Sequence, residues 1–433
     1  MLCRFLLWLA VAVALVPARA DSTIKPTRPD RFDLTRPEIK TFIDDVARRN
    51  SLKRRDVSKL LAKAEPQPKI IELITKPAER VIPWWEYRER FVNEERISLG
   101  VKLWLDHRLE LEQIASERGV PPEYIISIIG VETKYGRITG RYRVLDALAT
   151  LAFDYPPRSE YFRKELEEFL LLSREESMDP LKTLGSYAGA MGNAQFMPSS
   201  YRKYAVDAQG DRRRDLWEDW GDVFASIANY FREYGWETGA PILADVELDP
   251  EPTFTIDPRN LTLNSTLGAL AEQGVEARIS AAADTPAMLV FAPASDGPAY
   301  RVGFRNFEVI TRYNRSPRYA MAVHDLAEAL AVRVREAMQL VPVAPAPTSE
   351  SQDSGAADRA EDRPAPDSST RAPPEEPQAQ GTSGNTSEEP ALPAAPPASQ
   401  EPTPQPPAEP APTPESQTTA PTNEPAPAPE PRN

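Results

Sequence analysis

The last quarter of the chain cannot join a folded core. From Val341 to Asn433 it holds 24 of the 46 prolines, no Phe, Trp or Tyr, and 15 acidic against 4 basic residues. Such a segment buries too little apolar surface to offset the entropy of ordering it, so residues 341–433 are expected to form a disordered, extended tail rich in Pro, Ala and Glu. The tail carries −11 of the formal net charge of −14, which leaves −3 for the 340 residues that can fold. A nearly neutral fold lacks the broad basic field of a general nucleic-acid binder, and no nucleic-acid partner is expected.

Residues 1–20 read as a signal peptide. Arg4 precedes an unbroken apolar run from Phe5 to Val16, followed by Pro17-Ala18-Arg19-Ala20, a small-x-small cleavage pattern. The run is too short to span a bilayer, and Cys3 precedes it, which argues against a lipid-modified N-terminus. The expectation is an exported, periplasmic, soluble protein with no stable membrane anchor. Cys3 leaves with the signal, so disulfides and cysteine chemistry are excluded, and His107 and His324 are the two imidazoles.

Residues 21–83 form a lead-in with two short helices expected over Pro37–Arg49 and Asp56–Ala64, where apolar residues recur at helical spacing. Residues 84–240 are denser in aromatics and helix-period patterns, with Gly and Pro at the joints, and are where chemistry should lie. Residues 241–312 hold short β-branched or aromatic runs, Pro241–Val246, Met288–Phe291 and Phe307–Thr311, which predict a small sheet module. Residues 313–340 return to helix period and close the fold.

Within the central region, Ile125, Ile128, Ile129 and Glu132 fall at i, i+3, i+4 and i+7 of a segment opened by Pro121-Pro122 and closed by Gly136. A carboxyl on that apolar stripe is desolvated, and burial raises its pKa toward the range a general acid needs. The alternative is a structural ion pair of Glu132 with Lys134 or an arginine. Gly185 to Tyr201 interleaves small residues with Ser186, Tyr187, Asn193 and Gln195. Neutral hydrogen-bonding groups and aromatic faces on a closely approachable backbone suit an uncharged polyhydroxy ligand, though a close helix pair would use the same small residues. Tyr313-Asn314-Arg315-Ser316-Pro317-Arg318-Tyr319 is compatible with a ligand rim or an ordinary turn.

Four stretches taken in order, Ile129–Gly136 around Glu132, Leu145–Pro156, Gly185–Tyr201 and Ile310–Ser316, strongly resemble the lytic murein transglycosylase B family, with the likeness running from about Glu38 to Arg335. The resemblance implies a mostly α protein. It would have a lysozyme-like helical catalytic domain, a cleft for the glycan strands of peptidoglycan and a small β-containing module. It places the catalytic acid on Glu132 and the cleft residues on Tyr87, Arg158, Tyr161, Ser186, Tyr187, Gln195, Tyr230, Tyr313, Asn314 and Tyr319. Where the family often has two arginines after the Tyr-Pro pair, this chain has Pro157 and then Arg158.

The matched motifs supply one carboxylate where ordinary glycosidases use two. The expected reaction is therefore cleavage of the β-1,4 bond between N-acetylmuramic acid and N-acetylglucosamine with closure to a 1,6-anhydromuramyl end. In that scheme Ser186 orients the acid, and Tyr313 and Asn314 position the acetamido group. A hydrolytic muramidase and a catalytically silent glycan-binding scaffold are the alternatives. No cofactor is required by this chemistry. One metal reading stands beside it, since Asp207, Gln209, Asp211, Asp215 and Glu218 occupy positions 1, 3, 5, 9 and 12 of a calcium-type loop, with the Arg213 carbonyl at position 7 and Asp222 as a later closing acid. Arg212 stands where the loop's turn glycine belongs. A monomer that meets peptidoglycan strands, with other wall enzymes as candidate partners and the tail as a spacer, completes the expectation.

Overall fold

A computed structural model describes residues 31–75 and 82–339; the signal peptide and the tail lie outside the described residues. Three helices form the lead-in: α1 (Pro37–Arg49), α2 (Arg54–Leu61) and α3 (Pro68–Thr75). Ile39, Ile43 and Val46 line the buried stripe of α1, as their spacing requires. The third helix has only eight residues between prolines and was not expected from periodicity.

The central region runs α4 (Trp84–Glu89), α5 (Glu94–Asp106), α6 (Arg108–Arg118), α7 (Pro122–Thr133), β1 (Tyr142–Arg143), α8 (Val144–Asp154), α9 (Ser159–Glu175), β2 (Leu184–Gly185), α10 (Pro198–Tyr204) and α11 (Trp220–Glu233). Helix α7 starts with Pro122 in its first turn, where the missing N–H is no loss. Every residue from Tyr124 to Val131 is buried, so α7 is enclosed on all sides and its apolar character exceeds a single stripe. It ends because Lys134, Tyr135 and Gly136 all take positive φ.

The smaller module contains β3 (Leu243–Leu248), β4 (Ser265–Thr266), α12 (Leu267–Ala271), β5 (Val275–Ala277), β6 (Pro286–Phe291) and β7 (Tyr300–Gly303), before α13 (Arg305–Tyr313) and α14 (Pro317–Gln339) close the fold. Its sheet has the order β4-β6-β7-β3-β5, antiparallel throughout, with Leu289 opposite Val302 and Ala244 opposite the same Val302 from the other side. Leu270, Val275, Ala287, Leu289, Val302 and Phe304 make its own small core. The stretch Phe307–Thr311, expected as a strand, is helical within α13. A five-residue apolar run does not distinguish a strand from a buried helix. Here Arg305, Glu308 and Arg312 pair at i+3 and i+4 spacing, which only a helix brings together.

The architecture is mostly helical and lysozyme-like, with the sheet module set beside a large shared core that runs from Phe32 to Val334. Among the described residues no helix is long and apolar enough to cross a membrane.

Candidate active site

Glu132 sits in the last turn of α7, half-buried as a residue, with its carboxyl turned into the protein. Burial of the carboxyl raises its pKa to about 7, against the pull of one hydrogen bond from the Tyr319 hydroxyl. That hydroxyl donates to Glu132 Oε1 at 2.6 Å. The structural ion pair weighed from the sequence is not made, since Lys134 goes instead to Glu95 at 2.8 Å. Among the described residues no cationic side chain pairs with the carboxyl to hold it ionised.

Three tyrosines gather at this acid. Burial, reinforced by the Glu132 charge, pushes the phenols of Tyr313 and Tyr319 well above their usual value; the Tyr87 phenol, also raised chiefly by burial, is pushed up to about 12. The Arg318 guanidinium lies 5.5 Å from the Tyr87 ring centre. Tyr313 also donates to the Ala194 carbonyl at 2.7 Å, so it ties α13 to the polar strip. Tyr230 does not face a ligand: its ring is buried among Tyr204, Tyr234, Phe196 and Tyr313, and its hydroxyl donates to the Arg312 carbonyl at 2.7 Å. It supports Tyr313 from beneath. Asn314 caps the end of α13 and is half-buried beside Tyr313.

The polar strip lies directly against the acid helix. Thr133, next to Glu132, donates to the Ile129 and Asn193 carbonyls at 3.1 and 3.3 Å and accepts from the Gly136 N–H. Gln195 donates to the Thr139 and Gly192 carbonyls at 3.1 and 2.9 Å. Among the described residues no hydrogen bond joins Ser186 to Glu132. Its hydroxyl accepts the Ala190 N–H at 3.0 Å, within its own turn, and the orienting donor is Tyr319, 187 residues from Glu132 in sequence. Arg158 stacks 4.5 Å from the Tyr161 ring centre, and its charge reaches Tyr187, so these three form the outer part of the same strip.

Sequence reasoning missed Glu165. It is buried, accepts the Ser199 N–H at 3.0 Å and the Ser199 hydroxyl at 2.7 Å, and takes a further hydrogen bond from Tyr161. It thus anchors α9 to the start of α10, and only its i+4 spacing from Tyr161 marks it in the sequence. Asp146 and Asp154 are structural: the first accepts the Glu65 N–H and pairs with Arg143, and the second pairs with Arg36.

The loop expected to hold calcium is closed by the protein's own N–H groups. Asp207 accepts the N–H of Gly210 at 2.6 Å and of Arg212 at 2.7 Å, Asp222 accepts those of Ala208 at 2.7 Å and Asp215 at 2.6 Å, and Asp215 accepts those of Trp217 and Glu218. Asp211 accepts the Arg213 N–H, and Gln209 donates to Asp219 and Glu110. Arg212 adopts the φ of +72° that the missing glycine would supply. Among the described residues no three His, Cys, Asp or Glu side chains converge to hold an ion. Each of these bonds uses one lone pair of a carboxylate oxygen, and no chemistry is routed through an ion at this loop.

A buried single acid under a tyrosine, at the end of an enclosed helix and beside a strip of amides, hydroxyls and aromatic faces, defines a lysozyme-like glycan-cleaving fold. Comparison places it further. Residues 35–328 match the transglycosylase SLT domain, and the chain belongs to that family. It is 39% identical over 305 residues to the membrane-bound lytic murein transglycosylase B of Escherichia coli K12, covering 68% of this chain and 83% of that protein. The crystal structure of soluble lytic transglycosylase SltB1 from Pseudomonas aeruginosa superposes with a TM-score of 0.64 at 44% identity, covering 69% of this chain and all of that one. SltB3 from the same organism, solved in complex with NAG-anhNAM-pentapeptide, superposes with a TM-score of 0.61 at 28% identity, over 67% of this chain and 79% of that one.

Proposed function

We propose that this enzyme, a lytic transglycosylase of peptidoglycan, cleaves the β-1,4 bond between N-acetylmuramic acid and N-acetylglucosamine with Glu132 as its one catalytic acid and base, and leaves a 1,6-anhydromuramyl end. The observation that carries the reading is the Glu132 carboxyl, its pKa raised to about 7 by burial, with the Tyr319 hydroxyl as its one side-chain hydrogen-bond partner among the described residues. Protonated Glu132 gives its proton to the glycosidic oxygen as the C1–O bond breaks, and the muramyl acetamido oxygen closes on C1. The carboxylate then takes the proton of the C6 hydroxyl as that oxygen displaces the acetamido group from C1. In this reading Tyr313 and Asn314 hold the acetamido group, and Tyr87 and Tyr161 stack on the neighbouring sugars. Export by residues 1–20 supplies the compartment in which such strands lie.

Hydrolysis would call for a second carboxylate in the cleft. Glu165 is buried, and both its oxygens accept from Ser199, which gives it a structural role in holding the start of α10.

Mass spectrometry of the soluble fragments released from purified sacculi tests this, with the mature chain beside its Glu132→Gln variant. Anhydromuramyl ends from the wild type alone are expected. Reducing ends would replace the reading with a muramidase, and anhydro product from Glu132→Gln would remove Glu132 from its role.

A further inference from the structure

Three neighbouring residues in the first turn of α5 each reach beyond their own helix, and one of them does so from inside the protein. Glu94 pairs with Arg333 of α14 at 2.8 Å, and Glu95 pairs with Lys134, just past the end of α7, at 2.8 Å. Both carboxylates are exposed, so each pair contributes little. Arg96 is 5% exposed and donates to the Gly130 carbonyl of α7.

Arg96 is buried without a counter-charge bonded to it. Among the described residues it makes no ion pair, and the Glu95 charge acts on it from beyond ion-pair distance while bonded to Lys134. Its Nε has no hydrogen-bond partner among the described residues, nor has the buried hydroxyl of Tyr135, whose charge acts on the guanidinium. The Phe91 ring centre lies 5.3 Å away. Taking a guanidinium out of water in this way is costly, and burial pulls its pKa down. An apolar side chain of similar volume would fill the space without that cost, so packing alone does not account for an arginine here.

The acceptor does account for it. Gly130 lies two residues before Glu132, and its carbonyl also receives the Lys134 N–H at 3.2 Å, the bond that closes the last turn of α7. That turn carries the acid. A cation bonded to a last-turn carbonyl meets the negative end of the helix dipole and secures a turn that would otherwise fray. Arg96 is itself anchored, because the Asn93 side chain caps α5 by accepting the Arg96 backbone N–H at 3.0 Å. The guanidinium is thus a buried strut from the start of α5 to the end of α7. The turn it holds must keep Glu132 Oε1 2.6 Å from the Tyr319 hydroxyl, and a hydrogen bond weakens steeply once its geometry slips.

Resting on the reading of Glu132 as the acid, we propose that Arg96 is a positioning residue of the reaction. By holding the Gly130 carbonyl it fixes the last turn of α7, so that the Glu132 carboxyl stays on the Tyr319 hydroxyl and in line with the glycosidic oxygen. It touches no substrate and exchanges no proton.

The test compares the mature wild type with Arg96→Gln, Arg96→Lys, Tyr319→Phe and the Arg96→Gln/Tyr319→Phe double variant, on soluble glycan strands. Arg96→Gln should lower kcat about tenfold with KM unchanged, as displacement of a reacting group does. Its alkaline limb of kcat/KM should move to higher pH, in the same direction as that of Tyr319→Phe, because in both the acid loses its donor. Arg96→Lys should recover most of kcat, since an ammonium can still donate to the Gly130 carbonyl. The double variant should be no slower than the slower single variant, whereas independent losses would multiply to about a hundredfold. Losses that multiply, a limb that stays in place, or wild-type kcat in folded Arg96→Gln would each overturn the strut. If Arg96→Gln does not fold, Arg96→Lys carries the test: its limb should move the same way by less, and a reduced kcat with an unmoved limb would overturn the proposal. Anhydro product from wild type and none from Glu132→Gln leaves the reaction standing under any of these outcomes, so failure of the strut and failure of the reaction are told apart.

Discussion

One proton decides what Glu132 can do. Its carboxyl must be protonated to begin the reaction, so kcat/KM is expected to fall as pH rises through about 7, the value to which burial lifts it. The Tyr319 hydroxyl works the other way, because a donor to the charged form favours ionisation. Tyr319→Phe should therefore move the alkaline limb of the pH–rate profile to higher pH, while loss of orientation lowers kcat about tenfold. A limb that stays in place or moves down would show that Tyr319 does not contact the acid during turnover. The same burial has a stability signature. A carboxyl whose folded pKa is about 7 against an ordinary 4.5 holds its proton more tightly when folded, so its ionisation weakens the fold progressively as pH climbs from 4.5 through 7. Glu132→Gln keeps an acceptor for Tyr319 and removes that cost. Thermal melts should show the variant more stable than wild type by about 1–3 kcal/mol at pH 8 and equal to it at pH 4. An offset that does not change with pH would mean the carboxyl is not desolvated.

At the scale of elements, the acid is placed by how closely α5 and α7 approach. Gly100 of α5 and Gly130 of α7 face each other across the Tyr135 ring, and a Cβ on Gly130 would lie 2.6 Å from the Tyr135 hydroxyl. Arg96 fills the next turn of α5 and donates to the Gly130 carbonyl. In an open helix Gly→Ala stabilises by about 1 kcal/mol. Here the buried ring has nowhere to go, so Gly130→Ala should instead lose about 1–3 kcal/mol and lower kcat, because Tyr135 opens the turn that ends the catalytic helix. A calorimetric melt gives the sign, and a higher Tm would refute the wedge. The acid itself was legible, since its i+7 spacing from Ile125 follows from the helical repeat alone. Its partner was not, because the contact joins α7 to α14 across most of the chain and no local pattern encodes it. The same limit applies to the calcium-type loop. Acidic spacing was visible there, but whether each carboxylate faces an ion or a backbone N–H depends on φ values such as that of Arg212.

For the whole molecule, residues 341–433 are expected outside the fold on composition and lie beyond the described residues, whereas the core is legible in the apolar pattern of the rest. The exchange of a strand for α13 did not disturb it: Phe307, Val309 and Ile310 are core residues in either conformation. The C-terminal limit of the fold can be argued residue by residue. Leu330, Ala331 and Val334 are buried on α14, and Leu330 packs against Gly100, behind the catalytic helix. The family match ends at residue 328, and α14 continues to Gln339. Beyond it the tail adds −11 of charge and no aromatic side chain. A mature chain ended at Leu340 should therefore keep the Tm and the initial rate on sacculi of the full chain. One ended at Ala329 removes Leu330 and Val334 together and should lose about 4 kcal/mol or more, since each deleted core side chain costs about 2–5 kcal/mol. Melting curves of the two truncations separate the cases. A drop in Tm for the longer one would mean that the acidic tail contributes to the fold, against everything its composition implies.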